Sequence, residues 1–409
     1  MAERLQIRRR HFLAGAAAVW TAKSYAAVQG ANERLRIGVI GCGGMAGVHM
    51  GILVKNKERD NAEIVKVCDI YTPRLEKAAQ LTGAAKVRDY RTLLEDKDID
   101  YVLIATPEHW HAQMTLDALD AGKHVYVEKP MTHQVDEAKK VIAKLKQKPN
   151  LKLQVGVQGM SDNSYESAYE YVKNGAIGKV VIAQIDYSRN HVDDYWAYPI
   201  DEGVAPGPDL DWKAWLGPAP KRDWDPNRYF RWRWFWDYSG GIATDLFIHR
   251  ATRLIKALNL GFPEYCAASG GKFQFVDSKA EVPDTFNAQA DYPGGPTMLL
   301  VSSMANSRPV EHVLRGHKAT LTFTRTGFTI TPEREFAKDV QPFEFTKTGS
   351  ESVDPHHRNL QNAIRQNEPI RCDAELGYKA MVVCKMAVES YRKRQYVKWD
   401  SMQQRIRKA

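Results

Sequence analysis

The chain has 409 residues, 44% of them hydrophobic and 26% charged, with a formal net charge of +9. That length exceeds what one hydrophobic core serves, so two domains are expected, and the composition excludes fibrous, disordered and multi-span membrane classes. Arg4, Arg8, Arg9, Arg10 and Lys23 against Glu3 put +4 of the charge into residues 1–26 and leave +5 for the rest. That remainder is too mild, and too evenly mixed with acids, for a nucleic-acid partner.

The N-terminus reads Arg8-Arg9-Arg10-His11-Phe12-Leu13, then a small apolar run over 14–20, then Ser24-Tyr25-Ala26 as a small-x-small cleavage site. These regions resemble a twin-arginine signal peptide, with 1–33 as signal and linker, and imply a periplasmic location. The bland alternative is a basic, frayed helix. The apolar run is too short to span a bilayer securely, so no integral membrane span is expected. Cys42, Cys68, Cys266, Cys372 and Cys384 form no Cys-x-x-Cys pair. No disulfide framework is expected, and export of already folded cargo accounts for that.

Residues 35–40 are a compact β-branched run followed at once by glycines, the mark of a buried parallel strand. Runs at 63–68, 101–105, 124–127 and 151–155 alternate with helix-compatible stretches such as 74–81. Residues 34–155 are therefore expected to form a doubly wound α/β domain of the Rossmann type. From 156 to 409 the pattern changes to strands at 180–187, 267–275, 285–292, 297–306 and 319–324. These predict an α+β domain for substrate binding and oligomerisation, built on a large, mainly antiparallel sheet.

Directly after the first run comes Gly41-Cys42-Gly43-Gly44-Met45-Ala46-Gly47, a Gly-x-Gly-x-x-Ala form of the dinucleotide fingerprint. Asp69 ends the second run at the distance expected of a ribose-binding acid. Gly41 permits the tight turn. Gly43 lets the amides of the following Gly44 and Met45 approach a pyrophosphate, and Ala46 allows close helix–strand packing. Asp69 would accept bonds from the adenosine ribose and repel a 2′-phosphate, which favours NAD over NADP. Arg74 stands close enough to leave NADP open.

Two further stretches complete the pattern: Ala105-Thr106-Pro107-Glu108-His109-Trp110-His111 with Glu128-Lys129-Pro130, and Gly240-Gly241 followed by Asp245 and His249. With the fingerprint they make residues 34–399 resemble the Gfo/Idh/MocA family of oxidoreductases, which includes glucose-fructose oxidoreductase and inositol dehydrogenase. The resemblance implies cofactor contacts from Thr106, Pro107, His109, Trp110, His111, Glu128 and Lys129. It also places the Lys129 ammonium at the reaction centre, where it would stabilise a developing alkoxide. Taken alone, a strand-end lysine beside proline is more often a solvated turn.

Residues 242–258 have helical apolar spacing, so Asp245 and His249, four apart, are expected on one face. His249 can take a hydroxyl proton near neutral pH, and Asp245 could fix the imidazole or bind a second hydroxyl. A helix-face ion pair is the commoner fate of such a pair. Half of a metal site is another reading, but further ligands are wanting and no metal is expected. Inositol dehydrogenase-like members share the Asp-x-x-x-His spacing, which reads the pair as catalytic.

The run from Arg228 to Ser239 interleaves aromatics with arginines. Core packing is the bland role for Trp232, Trp234 and Phe235. Arg231, Arg233 and Tyr238, with Asp245 and His249, are candidates for a carbohydrate pocket. The chain departs from the family where Met160 follows Val157-Gln158-Gly159 in place of the usual arginine; His191, Tyr195 and Trp196 are candidates to compensate. The expected function is hydride transfer between a tightly held NAD, or NADP, and a hydroxyl or carbonyl of a sugar or sugar derivative, in a homo-oligomer. Two alternatives stand: an NAD-dependent glycosidase acting by transient oxidation and elimination, and a non-catalytic cofactor-binding protein.

Overall fold

The computed structural model describes residues 33–409; the signal-peptide reading of residues 1–32 lies outside them. Six strands, β1 (Leu35–Ile40), β2 (Ala62–Cys68), β3 (Ala85–Val87), β4 (Tyr101–Ile104), β5 (His124–Glu128) and β6 (Leu153–Gly156), pair in parallel in the order β3-β2-β1-β4-β5-β6. This is the Rossmann order, and its reversal between β1 and β4 opens a crevice at their carboxyl ends. Ile37, Val39 and Ile40 of β1 are at most 2% exposed, because helices cover both faces of a parallel sheet. β3 has no counterpart in the sequence reading: its Ala85 and Lys86 are exposed and it is too short for a hydrophobic period.

Ten strands form the second sheet: β7 (Val180–Asp186), β8 (Tyr265–Gly271), β9 (Thr285–Asp291), β10 (Thr297–Ser303), β11 (Val313–Gly316), β12 (Ala319–Phe323), β13 (Gly327–Pro332), β14 (Phe343–Thr346), β15 (Val397–Asp400) and β16 (Arg405–Lys408). The order is β14-β13-β12-β11-β7-β10-β9-β8-β15-β16, antiparallel except between β7 and β10. Phe286, Ala288, Ala290, Met298 and Leu300 are buried on one face, which packs on the helices Ile248–Leu258 and Ala374–Lys393. Thr285, Asn287, Gln289, Leu299, Val301 and Ser303 alternate with them on the other. That outer face is mixed rather than apolar. No helix among the described residues is long and apolar enough to cross a membrane, and all five cysteines are free and buried.

Two connections tie the sheets together across the expected boundary at 155/156. The helix Val353–Gln366 belongs by sequence to the second domain but packs on the first. Leu360 shares a core with Ile37, Tyr101 and Tyr126, and Gln154 Nε2 donates to the His356 carbonyl at 2.6 Å. The other connection is Glu108, only 1% exposed at the start of the helix Glu108–Asp120. Its carboxylate accepts from Ser239 Oγ (2.9 Å), Thr244 Oγ1 (2.7 Å) and the Gly240 amide (3.2 Å), all in the second domain. His133 Nδ1 lies 3.4 Å away. Removing this carboxylate leaves several buried donors unpaired, so Glu108→Ala is expected to lose about 3 kcal/mol of stability, read as a lower urea midpoint with both domains still assembling at low denaturant.

Candidate active site

The site is built from the carboxyl end of the first sheet upward. Gly41 has φ +85°, and a Cβ there would lie 2.9 Å from Thr106 Cγ2 and 3.0 Å from the Ala105 backbone, so only glycine makes this turn. Gly43 caps the 12-residue helix Gly44–Lys55 without any side-chain hydrogen bond. A Cβ on Gly44 or Gly47 would meet nothing within 4 Å. The first amides of a helix have no partner within it, and half-buried Met45 lies in this first turn. Ala46 is fully buried beneath them. This cradle fits a pyrophosphate.

Asp69 is 8% exposed and accepts from the amides of Cys42 (2.8 Å) and Tyr71 (2.9 Å). Burial raises its carboxyl, against the opposing charge of Arg74. The Arg74 guanidinium rests 5.0–5.8 Å from the rings of Tyr71, Tyr229 and Phe230, and its Nη1 would lie 3.7 Å from a Cβ on Gly43. A strap from the second domain crosses this end of the crevice. Leu210 pairs with Tyr71, Thr72 N donates to the Asp209 carbonyl at 2.9 Å, and Arg88 reaches the Pro208 carbonyl at 2.6 Å.

Four of the residues to which the resemblance assigns cofactor contacts have side-chain partners within the protein. His109 and Trp110 both donate to the Trp215 carbonyl, at 2.9 and 2.7 Å, and burial pushes the His109 imidazole down to about 3. His111, 1% exposed, lies between the carbonyls of Pro130 (2.6 Å) and Thr106 (2.9 Å) and, kept neutral by burial, donates to one of them. Glu128 turns away from the crevice to His49 Nε2 at 2.9 Å, and His49 in turn meets His357 at 2.8 Å. These side chains brace the walls, because a buried polar group holds its place only when its hydrogen bonds are met. Thr106 and Pro107 remain half-buried beside the glycine turn.

Lys129, adjacent to Glu128, takes the opposite direction. Its Nζ donates to Asp245 Oδ1 at 2.7 Å and to the Asp245 carbonyl at 3.1 Å. Arg233 Nε reaches the same Oδ1 at 2.9 Å. Burial by itself would raise the Asp245 carboxyl, but the facing Arg233 and Lys129 charges overcome it and hold the group well below the usual carboxylate range. Asp245 is therefore ionised near neutral pH.

His249 is 6% exposed. Burial, then the positive charges of Lys129 and Arg253, push its imidazole well below the ordinary value, so it is neutral near pH 7. Among the described residues it has no hydrogen bond to Asp245; the Tyr187 ring meets it edge-on at 5.7 Å. The expectation that Asp245 fixes the ring is corrected here. Ala243–Phe247 forms a π-turn ahead of the α-helix Ile248–Leu258, which changes the rotation between the two side chains.

Of the remaining candidates, Arg231 donates to the Tyr198 carbonyl (2.9 Å) and Asn227 (3.2 Å) and lies over Trp234, a brace rather than a lining. Tyr238 is fully buried between His109 and Trp215. Tyr195 and Trp196 are also buried, while His191 is half-buried. Large rings gain more from the core than from water, which is why the aromatic run closes inward. Met160 is buried as well, and Arg253, absent from the sequence reading, donates to the Gln158 carbonyl beside it at 2.5 Å while pairing with Glu351 at 3.0 Å. Glu108, Tyr187 and His49 were likewise missed; their only signal is a polar residue within otherwise buried stretches.

A parallel sheet with an open glycine cradle, facing a second domain that delivers a buried carboxylate and a neutral imidazole to one lysine, defines an NAD-binding oxidoreductase of two-domain architecture. The profile described as "Oxidoreductase family, NAD-binding Rossmann fold" matches residues 35–157, and "Oxidoreductase family, C-terminal alpha/beta domain" matches 221–399. The chain belongs to the Gfo/Idh/MocA oxidoreductase family. It is 32% identical over 155 residues to inositol 2-dehydrogenase of Rubrobacter xylanophilus, covering 38% of this chain and 44% of that enzyme. A glycosyl hydrolase family 109 protein of Shewanella pealeana is 34% identical over 122 residues, 27% of this chain and 26% of that protein. The chain thus matches less than half the length of these curated relatives. The WlbA dehydrogenase of Bordetella pertussis, solved with NADH and UDP-GlcNAcA, is similar with a TM-score of 0.69 at 19% identity, over 90% of this chain and 99% of that one; this likeness is one of fold.

Lys129→Met removes a positive charge facing His249 and frees the Asp245 carboxylate, and both changes favour imidazolium. The His249 titration, followed by NMR of its ring protons, is expected to move upward in this variant. A midpoint that stays put would show that the ammonium is not felt there.

Proposed function

We propose that this protein transfers hydride between a nicotinamide held by the first domain and a hydroxyl or carbonyl carbon of a sugar or sugar derivative. The supporting observation is the meeting of the Lys129 ammonium with the Asp245 carboxylate beside a neutral His249. Bound NAD supplies a ring that accepts or returns the hydride. Gly41, Gly43, Gly44, Met45 and Ala46 hold its phosphates and Asp69 its ribose, with Arg74 leaving NADP as the second choice. Lys129, steadied by Asp245 and Arg233, donates to the substrate oxygen and stabilises it as negative charge develops. His249 takes the hydroxyl proton in the oxidative direction and returns it in the reductive one.

The reading includes a tightly held cofactor, supported by the strap at residues 208–211 that covers the Asp69 end of the crevice. Periplasmic location through the twin-arginine route rests on Arg8, Arg9 and Arg10 and the apolar run after them; a captive cofactor suits a compartment without a free nicotinamide pool. Assembly as a homo-oligomer belongs to the same reading. A second reading keeps the site and changes the net reaction: transient oxidation at a ring carbon acidifies its neighbour and allows elimination of a glycosidic group. The similarity to a glycosyl hydrolase family 109 protein favours keeping it in view.

The test is to denature the purified protein, assay released nicotinamide, and then follow nicotinamide absorbance during challenge with monosaccharides, sugar acids and glycosides. Substrate-dependent reduction is expected. Lys129→Ala should slow it about 10²–10³-fold and His249→Asn about 10²–10⁴-fold. Cleavage of a nitrophenyl glycoside without net reduction decides for the second reading, and unchanged turnover by Lys129→Ala overturns both.

A further inference from the structure

We infer that the substrate carries an oxyanion, a carboxylate or a phosphate, and that Arg189 and Arg250 bind it beside His249; the inference rests on the hydride-transfer reading of that site. Tyr187, one residue beyond β7, sets its ring edge against the His249 imidazole at 5.7 Å. Two guanidiniums crowd the same ring, Arg189 at 5.6 Å and Arg250 at 5.5 Å from its centroid. Arg250 follows His249 directly in the chain and is half-buried, and Arg189 is exposed.

The other cations of the site are already committed. Lys129 and Arg233 share Asp245, and Arg253 pairs with Glu351. By contrast, the side chains of Arg189 and Arg250 have no ion pair within 4.0 Å and no hydrogen bond among the described residues, and Glu351 acts on Arg250 only from farther off. The nearby acids are engaged elsewhere. Asp186 accepts from the amide and hydroxyl of Ser188, Asp194 accepts from the Tyr195 amide, and Glu351 is held by Arg253.

Two like charges brought to one ring repel each other, and the contact with the ring face offsets only part of that. An oxyanion drawn to these guanidiniums offsets the repulsion and supplies charge-assisted hydrogen bonds to forks that have none among the described residues. It would also anchor one end of the substrate next to the proton acceptor while the reacting oxygen meets Lys129. A neutral sugar leaves both forks in water. Specificity then comes from charge rather than from the aromatic run, whose rings are spent on the core.

The test uses the full chain with its bound cofactor and titration calorimetry. The probes are glucose, galactose and mannose, their uronates, and their 6-phosphates, at low and high salt. In at least one configuration the acid is expected to bind about tenfold or more tightly than the neutral hexose. That preference should shrink with salt and disappear in the Arg189→Gln/Arg250→Gln double variant, with neutral-sugar binding and the thermal midpoint unchanged. Stronger binding of the uronate assigns a carboxylate, and stronger binding of the 6-phosphate assigns a phosphate. Absence of any acid preference, or a preference that survives the double variant, overturns the inference. Absorbance of the nicotinamide separates the two readings. Reduction by a neutral sugar without acid preference sinks the anion subsite alone, whereas acid preference without reduction by any probe sinks hydride transfer and leaves the subsite standing.

Discussion

A single carboxylate oxygen, Asp245 Oδ1, accepts from both Lys129 and Arg233 in a site closed to most water. A buried charge is tolerated only where it is paired, and losing one partner costs more than the pair contributes. Lys129 comes from the end of the first sheet, and Asp245 and Arg233 from the second domain. The relative placement of the two domains is thus coupled to the electrostatics of the reaction centre. The neutral state of His249 comes first from burial and then from Lys129, one of the two cations that hold Asp245 ionised.

Behind that pair stand buried polar groups that do no chemistry. Glu128, the last residue of β5, reaches His49, while Lys129 in the bend beyond it reaches Asp245, and one triplet divides into a brace and a reaction-centre group. Glu108 does comparable work from the next wall, drawing Ser239, Gly240 and Thr244 onto one carboxylate just ahead of the turn that carries Asp245. His111 closes the arrangement by sitting between the Thr106 and Pro130 carbonyls and donating to one of them. Rigidity around a lysine is what keeps its ammonium at a fixed point rather than in solvent.

The features legible in the chain are those decided within a few residues. The apolar run 35–40 followed by glycines announces a strand, a turn and a helix N-terminus, because strand burial, left-handed φ and orphan amides are local properties. The same holds for Ala46 under the helix and for the alternating burial of β9 and β10. Short or peripheral strands such as β3 and β16 carry too little periodic signal to be read.

Side-chain direction was not legible. His109, Trp110, His111, Tyr238, Tyr195 and Trp196 have the residue types of a binding wall, yet each is consumed by packing or by a distant carbonyl such as that of Trp215. The π-turn at Ala243–Phe247 likewise breaks the simple four-residue rule that paired Asp245 with His249. By itself the sequence determined the two-domain architecture, the glycine cradle and the chemical types at the reaction centre. The tertiary structure alone decided which polar groups meet, because hydrogen bonds and charge pairs between residues more than a hundred positions apart depend on how two sheets are brought together, and no local pattern encodes that.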